Sequence, residues 1–230
     1  MLEKNISDDA IVLSRVNFGE KDRILTVITP NHGKLKLVAK SVRSSGSKLA
    51  GGIELFSENH IVLVRGRSDM FTLISSKMKN FFGNNTPKDI KKSEYAYNSL
   101  KSVNKLTPDG AGGEYYSYLL ENLKKINEND VDINQLKIWF SLKILKLTGS
   151  TPNLKTLKDG QPIPADEKYS FDYDNHCFFV DQNGNFTSDS IKILRYFDGR
   201  ETFKPISNCP NDAISKCCVL TDRLESQQTA

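Results

Sequence analysis

Residues 30–40 read Pro30-Asn31-His32-Gly33-Lys34-Leu35-Lys36-Leu37-Val38-Ala39-Lys40. Proline and glycine around an Asn make a strong turn, and the residues from Lys34 to Leu37 alternate cation and aliphatic. A period of two is the period of a strand, so Lys34 and Lys36 leave one face while Leu35 and Leu37 enter a core. Working outward, Ala10–Arg15, Ile24–Ile28, His60–Val64 and Phe71–Lys77 are also β-branched or aliphatic and of strand length. Asn17-Phe18-Gly19 with Asp22 separates the first two strands. Five short strands at this spacing predict a small barrel over residues 1–80, with one basic face.

The charge supports that division. Of the net +4, residues 1–80 hold 13 Lys+Arg against 8 Asp+Glu, a net of +5, and residues 81–230 hold 19 against 20, a net of −1. Residues 31–51 contain Lys34, Lys36, Lys40, Arg43 and Lys48 and no acid. With 38% hydrophobic and 26% charged residues in a chain of 230, collagenous, disordered and membrane-embedded classes are excluded. Glu3, Asp8 and Asp9 break any signal-peptide pattern, and no apolar run approaches the roughly 20 residues of a membrane span, so a cytoplasmic protein is expected.

After residue 80 the period changes. Thr86-Pro87-Lys88-Asp89 places a hydroxyl at an N-cap, proline at the first helical position and an acid in the first turn. A helix is expected there, with Ile90, Tyr97, Leu100, Val103 and Leu106 along it. Thr107 to Gly113 ends it and reads as a flexible connection. A second helix follows from Tyr116, Leu119, Leu120, Leu123 and Ile126, and a third, nearly all buried, after Asp132. Residues 152–187 lose helical periodicity and read as irregular chain followed by a hairpin of Tyr169–Tyr173 and Cys177–Val180. A helix capped by Ser188 or Asp189, a last one over Ala213–Leu224 and a frayed end from Glu225 complete an α+β chain: a barrel at 1–80 and a helical domain at 81–230 with a small insertion.

Catalysis has little support. His32, His60 and His176 belong to no nucleophile or metalloprotease motif, and Gly110-Ala111-Gly112-Gly113 lacks the Lys-Ser/Thr of a phosphate loop. Cys177, Cys209, Cys217 and Cys218 contain no CxxC pair, so reduced thiols and no metal are expected. The basic segment is where function can be argued. Lys34, Lys36, Lys40, Arg43 and Lys48 line one strand and a loop rich in Ser41, Ser44, Ser45 and Ser47, whose hydroxyls suit phosphate oxygens. Arg65 and Arg67 form a second cationic turn, and Arg23 flanks the first. Phe18 and Phe71 lie near enough to offer a stacking face, although each also suits a core. Nucleic acid is the expected partner, with an ordinary solvated surface or an acidic protein tail as the alternatives.

Several of these segments carry a resemblance. Ala10-Ile11-Val12-Leu13, Phe18-Gly19-Glu20-Lys21-Asp22-Arg23-Ile24-Leu25-Thr26, His32-Gly33-Lys34-Leu35, Ala39-Lys40-Ser41-Val42-Arg43 and Ser47-Lys48-Leu49-Ala50-Gly51-Gly52-Ile53-Glu54-Leu55-Phe56 resemble, in this order, the amino-terminal domain of the bacterial RecO recombination mediators. Gly149 with Pro152-Asn153-Leu154 resembles the turn that leads into that family's zinc ribbon. The resemblance implies an amino-terminal five-stranded OB-fold β-barrel, an α-helical domain and a degenerate zinc-ribbon-like hairpin insertion. It implies a nucleoid-associated DNA repair protein that is not an enzyme and needs no cofactor. Such a protein binds single- and double-stranded DNA, anneals strands and helps load recombinase, with RecR and the C-terminal tail of single-strand-binding protein as partners. On matched positions Lys34, Lys40, Arg43 and Lys48, then Arg23, are the expected phosphate contacts, with Lys36, Arg65 and Arg67 added from the charge pattern. Where relatives place CxxC pairs this chain has Lys155-Thr156-Leu157-Lys158 and a lone His176-Cys177. Zinc is therefore not expected, and Phe171, Tyr173, Phe178 and Phe179 are expected to hold the hairpin instead. An OB-type RNA-binding protein is the main alternative, since such a barrel alone does not choose between nucleic acids.

Overall fold

The computed structural model describes residues 5–47, 49–65, 70–83 and 89–228. Its contacts gather the chain into two compact units, Met1–Asn129 and Asp130–Ala230. Residue 80 is where strands give way to helices, whereas the packing boundary falls at 129.

In the first unit, β1 (Asn5–Phe18), β2 (Asp22–Thr29), β3 (Gly33–Ala39), β4 (Ser57–Arg65) and β5 (Phe71–Phe81) form a closed barrel in the order β1-β2-β3-β5-β4. All five expected strands are present, most of them longer than the apolar runs that announced them. β1 closes the barrel because its first half pairs antiparallel with β4, from Asn5–Val64 to Ile11–Glu58, and its second half with β2, from Ile11–Ile28 to Phe18–Asp22. Between β3 and β5 the joint is parallel and short, at Leu37–Phe71 and Val38–Thr72. Ile6, Ala10, Val12, Leu25, Val27, Leu37, Ala39, Ile61, Leu63 and Leu73 fill the interior. These are the inward positions of the period-two pattern, and Phe71 packs half-buried against them.

α1 (Ile90–Leu106) begins four residues after Thr86. Asp89 is its N-cap, its side chain accepting from the backbone N–H of Lys91 and Lys92, while Thr86 and Pro87 lie outside the described residues. The buried face is Tyr95, Ala96, Ser99, Leu100, Val103 and Leu106, so Ile90 and Tyr97, expected on it, are 83% and 54% exposed. Tyr95 donates its hydroxyl to Asn122 Oδ1 (2.7 Å) and Asn122 Nδ2 donates to Ser99 Oγ (3.0 Å), a buried polar seam that joins α1 to α2 (Gly113–Ile126). Apolar periodicity cannot register such a seam, because its members are polar and hydrogen-bonded to one another.

The connection between α1 and α2 is not the free linker its glycines suggest. Lys34 N donates to Ala111 O (3.1 Å), and a Cβ on Gly112 would lie 2.1 Å from Gly33 Cα and 2.8 Å from Thr29 O. Glycine is needed so that this loop and the β2–β3 turn can touch backbone to backbone. Gly33, at φ +70°, meets Gly110 O in the same way.

The second unit is built on α3 (Ile133–Leu147), capped by Asp132 and buried around most of its circumference as expected. Trp139 packs edge-to-face on Phe203 and donates its indole N–H to Arg200 O (3.0 Å). Residues 153–157 are not irregular: β6 (Asn153–Leu157) runs parallel to β8 (Cys177–Val180), which pairs antiparallel with β7 (Tyr169–Asp172), giving the order β6-β8-β7. Five residues with two buried leucines carry too little alternation to separate a strand from loop. Aromatic packing holds this sheet, but with different members. Phe178 contacts Phe171 (4.8 Å between centroids), Phe186 (5.5 Å) and Tyr169 (6.4 Å), and Tyr173 contacts Phe171 (5.0 Å), whereas Phe179 is 37% exposed. α4 (Ser188–Asp198) takes Thr187, not Ser188 or Asp189, as its N-cap, in a box with Ser190. α5 (Asn211–Gln227) takes in Glu225, Ser226 and Gln227 of the segment expected to fray, with Leu224 fully buried in its last turn, while Thr229 and Ala230 lie outside the described residues.

Candidate nucleic-acid interface

The cations singled out from sequence part into three groups. Lys36, Lys40, Arg43 and Arg65 are exposed, Arg23 is half-buried, and Lys48 and Arg67 lie outside the described residues. Lys34 is turned away. Its Nζ donates to the carbonyls of Asn104 (3.2 Å) and Thr107 and lies 3.4 Å from Asp109, with only 12% of the side chain exposed. It caps the carbonyl end of α1, where unpaired C=O groups and the helix dipole favour a cation.

Whereas Arg65 ends β4, the loop after β3 brings Lys40 and Arg43 to the β1–β2 turn. Its first residues are pinned to the β1–β2 turn: Ser41 N donates to Asp22 Oδ1 (2.7 Å), Arg43 N to Lys21 O (2.9 Å) and Arg43 Nη1 to Gly19 O (3.3 Å). Val42 inserts between them into the barrel core at 4% exposure. The serine-rich loop therefore begins as an ordered structure rather than a flexible one, with successive turns closed by Ser44 N to Ser41 O and Ser47 N to Ser44 O (both 3.2 Å). This fixes Lys21, Lys40 and Arg43 around one end of the barrel. Among the described residues the amines of Lys21, Lys36 and Lys40 have no acidic partner, whereas Arg15 is paired with Glu54 at 2.6 Å and Arg23 donates to Asn17 Oδ1 at 3.2 Å. Glu20, in the same turn, is the one nearby acid in sequence that remains exposed.

Register supplies the second part of the surface. Outside the barrel Val16 pairs with Ile24, Ile24 with Val38 and Val38 with Thr72, giving a lateral row across four strands. Val16 is 62% exposed, and Phe18, two residues along the same face, is 51% exposed beside the Gly19 turn. Lys36, across from Thr26, borders the row on one side and Lys40 on the other. Sequence reading had Phe18 near the cations but missed the row, because alternation marks an outward valine only as one more β-branched residue.

Three other acids of the barrel, Asp8, Asp9 and Glu58, lie along the β1–β4 seam. Asp8 Oδ2 lies 2.7 Å from His32 Nδ1, and Asp8 Oδ1 accepts from Asn31 Nδ2 (2.9 Å). Lys79 donates to Asp9 (2.5 Å) and Glu58 (3.2 Å), and Tyr116 of α2 and Asn80 also donate to Glu58 (2.9 and 2.6 Å). Burial pushes the Glu58 carboxyl up, but these donors outweigh it and hold it below its ordinary value. Burial and the Glu58 hydrogen bond push the Tyr116 phenol well up. Ser7 Oγ, His60 Nε2 (3.1 Å), His60 Nδ1 and Asp9 Oδ1 (3.0 Å) stand in line, an order known from hydrolases. Here the line lies on the barrel's outside, with the His60 side chain 48% exposed and Asp9 held at the same time by Lys79. It ties strands together.

Cys217 and Cys218 are hydrogen-bonded within the second unit. Cys217 Sγ donates to Ser190 O and Cys218 Sγ to Asn134 O, both at 3.4 Å, and burial pushes both thiols up, that of Cys218 to about 12. A zinc ligand must give up that proton. Among the described residues no three His, Cys, Asp or Glu side chains gather as a metal site, and no helix is long and apolar enough to cross a membrane.

Residues 1–82 match the family described as Recombination protein O N terminal. The chain is similar to proteins named DNA repair protein RecO from Alkaliphilus metalliredigens (29% identity over 150 residues, 65% of this chain and 60% of that one) and Heliobacterium modesticaldum (28% over 155 residues, 67% and 55%). The similarity to the one from Dehalococcoides mccartyi strain 195 is longer, at 29% over 194 residues, 81% of this chain and 76% of that one. The chain thus spans less than two thirds of the first two relatives.

Proposed function

We propose that this chain, which belongs to the RecO family of bacterial DNA repair proteins, binds nucleic acid on the outer face of β1, β2 and β3 and acts without catalysis in recombinational repair. The observation that carries the reading is the pairing of two unlike features on one face. Lys21, Lys36, Lys40 and Arg43 flank an outward row of Val16, Ile24 and Val38, the first exposed and the other two half-buried, with the exposed Phe18 beside it. Cations serve phosphates, and an open apolar and aromatic row serves the faces of unpaired bases, each stacked base being worth roughly 1–3 kcal/mol. Arg23, on β2, borders this face, and Arg65, Lys48 and Arg67 add to its charge in sequence. Lys34 acts through α1 instead, as a cap. The barrel fits the OB type, whose β2–β3 face is the usual strand-binding face.

Family membership supports strand annealing, the loading of recombinase onto DNA covered by single-strand-binding protein, and partnership with RecR and with that protein's acidic tail. On the resemblance to RecO proteins, the sheet β6-β8-β7 takes the place of a zinc ribbon, with its aromatic cluster in the role of the metal. The test is binding of labelled single-stranded DNA against duplex DNA and RNA. With about five phosphates neutralised, the slope of log K against log salt should be near ~−3.5 on single strands. The triple variant Lys36→Ala, Lys40→Ala, Arg43→Ala should reduce that slope by about 2 and stay folded, losing only the exposed Arg43–Gly19 hydrogen bond. Wild-type affinity in the triple variant sinks the reading, and tighter binding of RNA than of DNA redirects it to RNA.

A further inference from the structure

α1 turns a second basic surface outward. Tyr97, Lys101 and Lys105 recur at i, i+4 and i+8 and so share one stripe, opposite the buried Ala96, Leu100 and Val103. All three are exposed, Tyr97 at 54%, and neither lysine has an acidic partner among the described residues. A solvated helix face is the ordinary meaning of two lysines. Here a second observation joins the stripe to the barrel. Lys34 at the start of β3 holds the carbonyls of Asn104 and Thr107, on either side of Lys105, and Lys34 N is bonded to Ala111 O. The last turn of α1 therefore abuts the amino end of β3, whose next outward cation, Lys36, lies about 7 Å along the strand. Left uncapped, that helix end would present partial negative charge to a polyanion, and Lys34 and Lys105 oppose it.

We infer that the nucleic-acid path does not stop at the barrel but continues from Lys40 and Lys36 onto Lys105, Lys101 and Tyr97, so that α1 binds the part of a long single strand that leaves β3. This rests on the proposed face of β1–β3 and extends it. Strand and helix together offer roughly 20 Å and 12 Å of track. An oligonucleotide of about 4 residues fits on the barrel, and one of about 25 also reaches the helix.

The test compares two variants of the full chain on fluorescent oligothymidylates of those two lengths. Lys101→Ala with Lys105→Ala keeps a strong helix former at two exposed positions, so folding is preserved. Binding of the long strand should weaken by about three- to tenfold at low salt, with a salt slope smaller by about 1.4, while the short strand binds as before. Unchanged affinity and slope on the long strand overturn the inference, as does an equal loss on both lengths. The variant Lys36→Ala, Lys40→Ala, Arg43→Ala separates the two readings. If it loses both oligonucleotides and the helix variant loses neither, the barrel face stands and the path over α1 falls. If it binds both like the wild type, the barrel face itself is wrong, and the inference falls with it.

Discussion

Lys34 and Lys36 stand two residues apart on the same face of β3 and do different work. Lys36 is exposed, and Lys34 is held in the carbonyls that end α1. Alternation makes the two equivalent, and the helix end that distinguishes them comes from a segment 70 residues away. The face of each was therefore legible and the partner was not. Lys34→Met keeps the stem and removes the charge-assisted hydrogen bonds, so stability should fall by about 2 kcal/mol, read as a lower urea midpoint, with single-strand affinity changed less than twofold. Lys36→Ala should do the reverse. A Lys34→Met protein of full stability and lost affinity would return Lys34 to the phosphate contacts. Lys143 in the second unit works in a similar way. Fully buried on α3, it donates to Asp198 O at the end of α4 (2.7 Å), and burial pulls its pKa down.

At the level of elements, the strands and helices were legible because each carries its own period, while the joints between them were not. Joints are made by residues that patterning discounts, namely glycines, buried polar side chains and acids. The loop between α1 and α2 is the sharpest instance. Gly112→Ala places a methyl 2.1 Å from Gly33 Cα, where both neighbours are backbone, whereas Gly110→Ala meets open space and only a left-handed φ of +80°. The first should cost about 3 kcal/mol and the second about 1 kcal/mol in denaturant titrations. The order of the two losses is the result to check. The β4–α2 joint is electrostatic. Glu58 and Asp9 are held below their ordinary values of 4.5 and 3.8 by hydrogen bonds that outweigh burial. A carboxylate depressed on folding contributes stability that is complete above its unfolded value and is lost as pH falls through the folded one. Circular dichroism during acid titration should therefore show weakening below about pH 4.5. Tyr116→Phe removes one donor to Glu58 and should shift that midpoint upward. An unmoved midpoint would mean the acid limit is set elsewhere.

For the molecule as a whole, the contrast in charge widens when the units are drawn by contacts. Residues 1–129 hold 20 Lys+Arg against 14 Asp+Glu, a net of +6, and residues 130–230 hold 12 against 14, a net of −2. Dividing at residue 80 gave +5 and −1, so assigning α1 and α2 to the barrel's unit sharpens the contrast. Composition could not place that boundary, because a helix carries no mark of which neighbour it packs on. The polar ties do: Lys34 Nζ to α1, Lys34 N to Ala111 O and Glu58 to Tyr116 all close within the first unit. A fragment ending at residue 129 should therefore unfold in one cooperative transition, whereas one ending at residue 82 lacks every partner of those ties and should melt lower and more broadly. The longer fragment should also keep the single-strand affinity and salt slope of the whole chain, since the cations of the proposed path all belong to it. The complementary fragment, 130–230, with its net of −2, should bind no single strand at the salt where 1–129 is saturated. If 1–129 folds and binds markedly more weakly than the full chain, residues beyond 129 hold part of the strand and the charge argument fails. If it does not fold while 1–82 does, α1 and α2 take their stability from outside the first unit, and the joints described for the barrel are too weak to hold them.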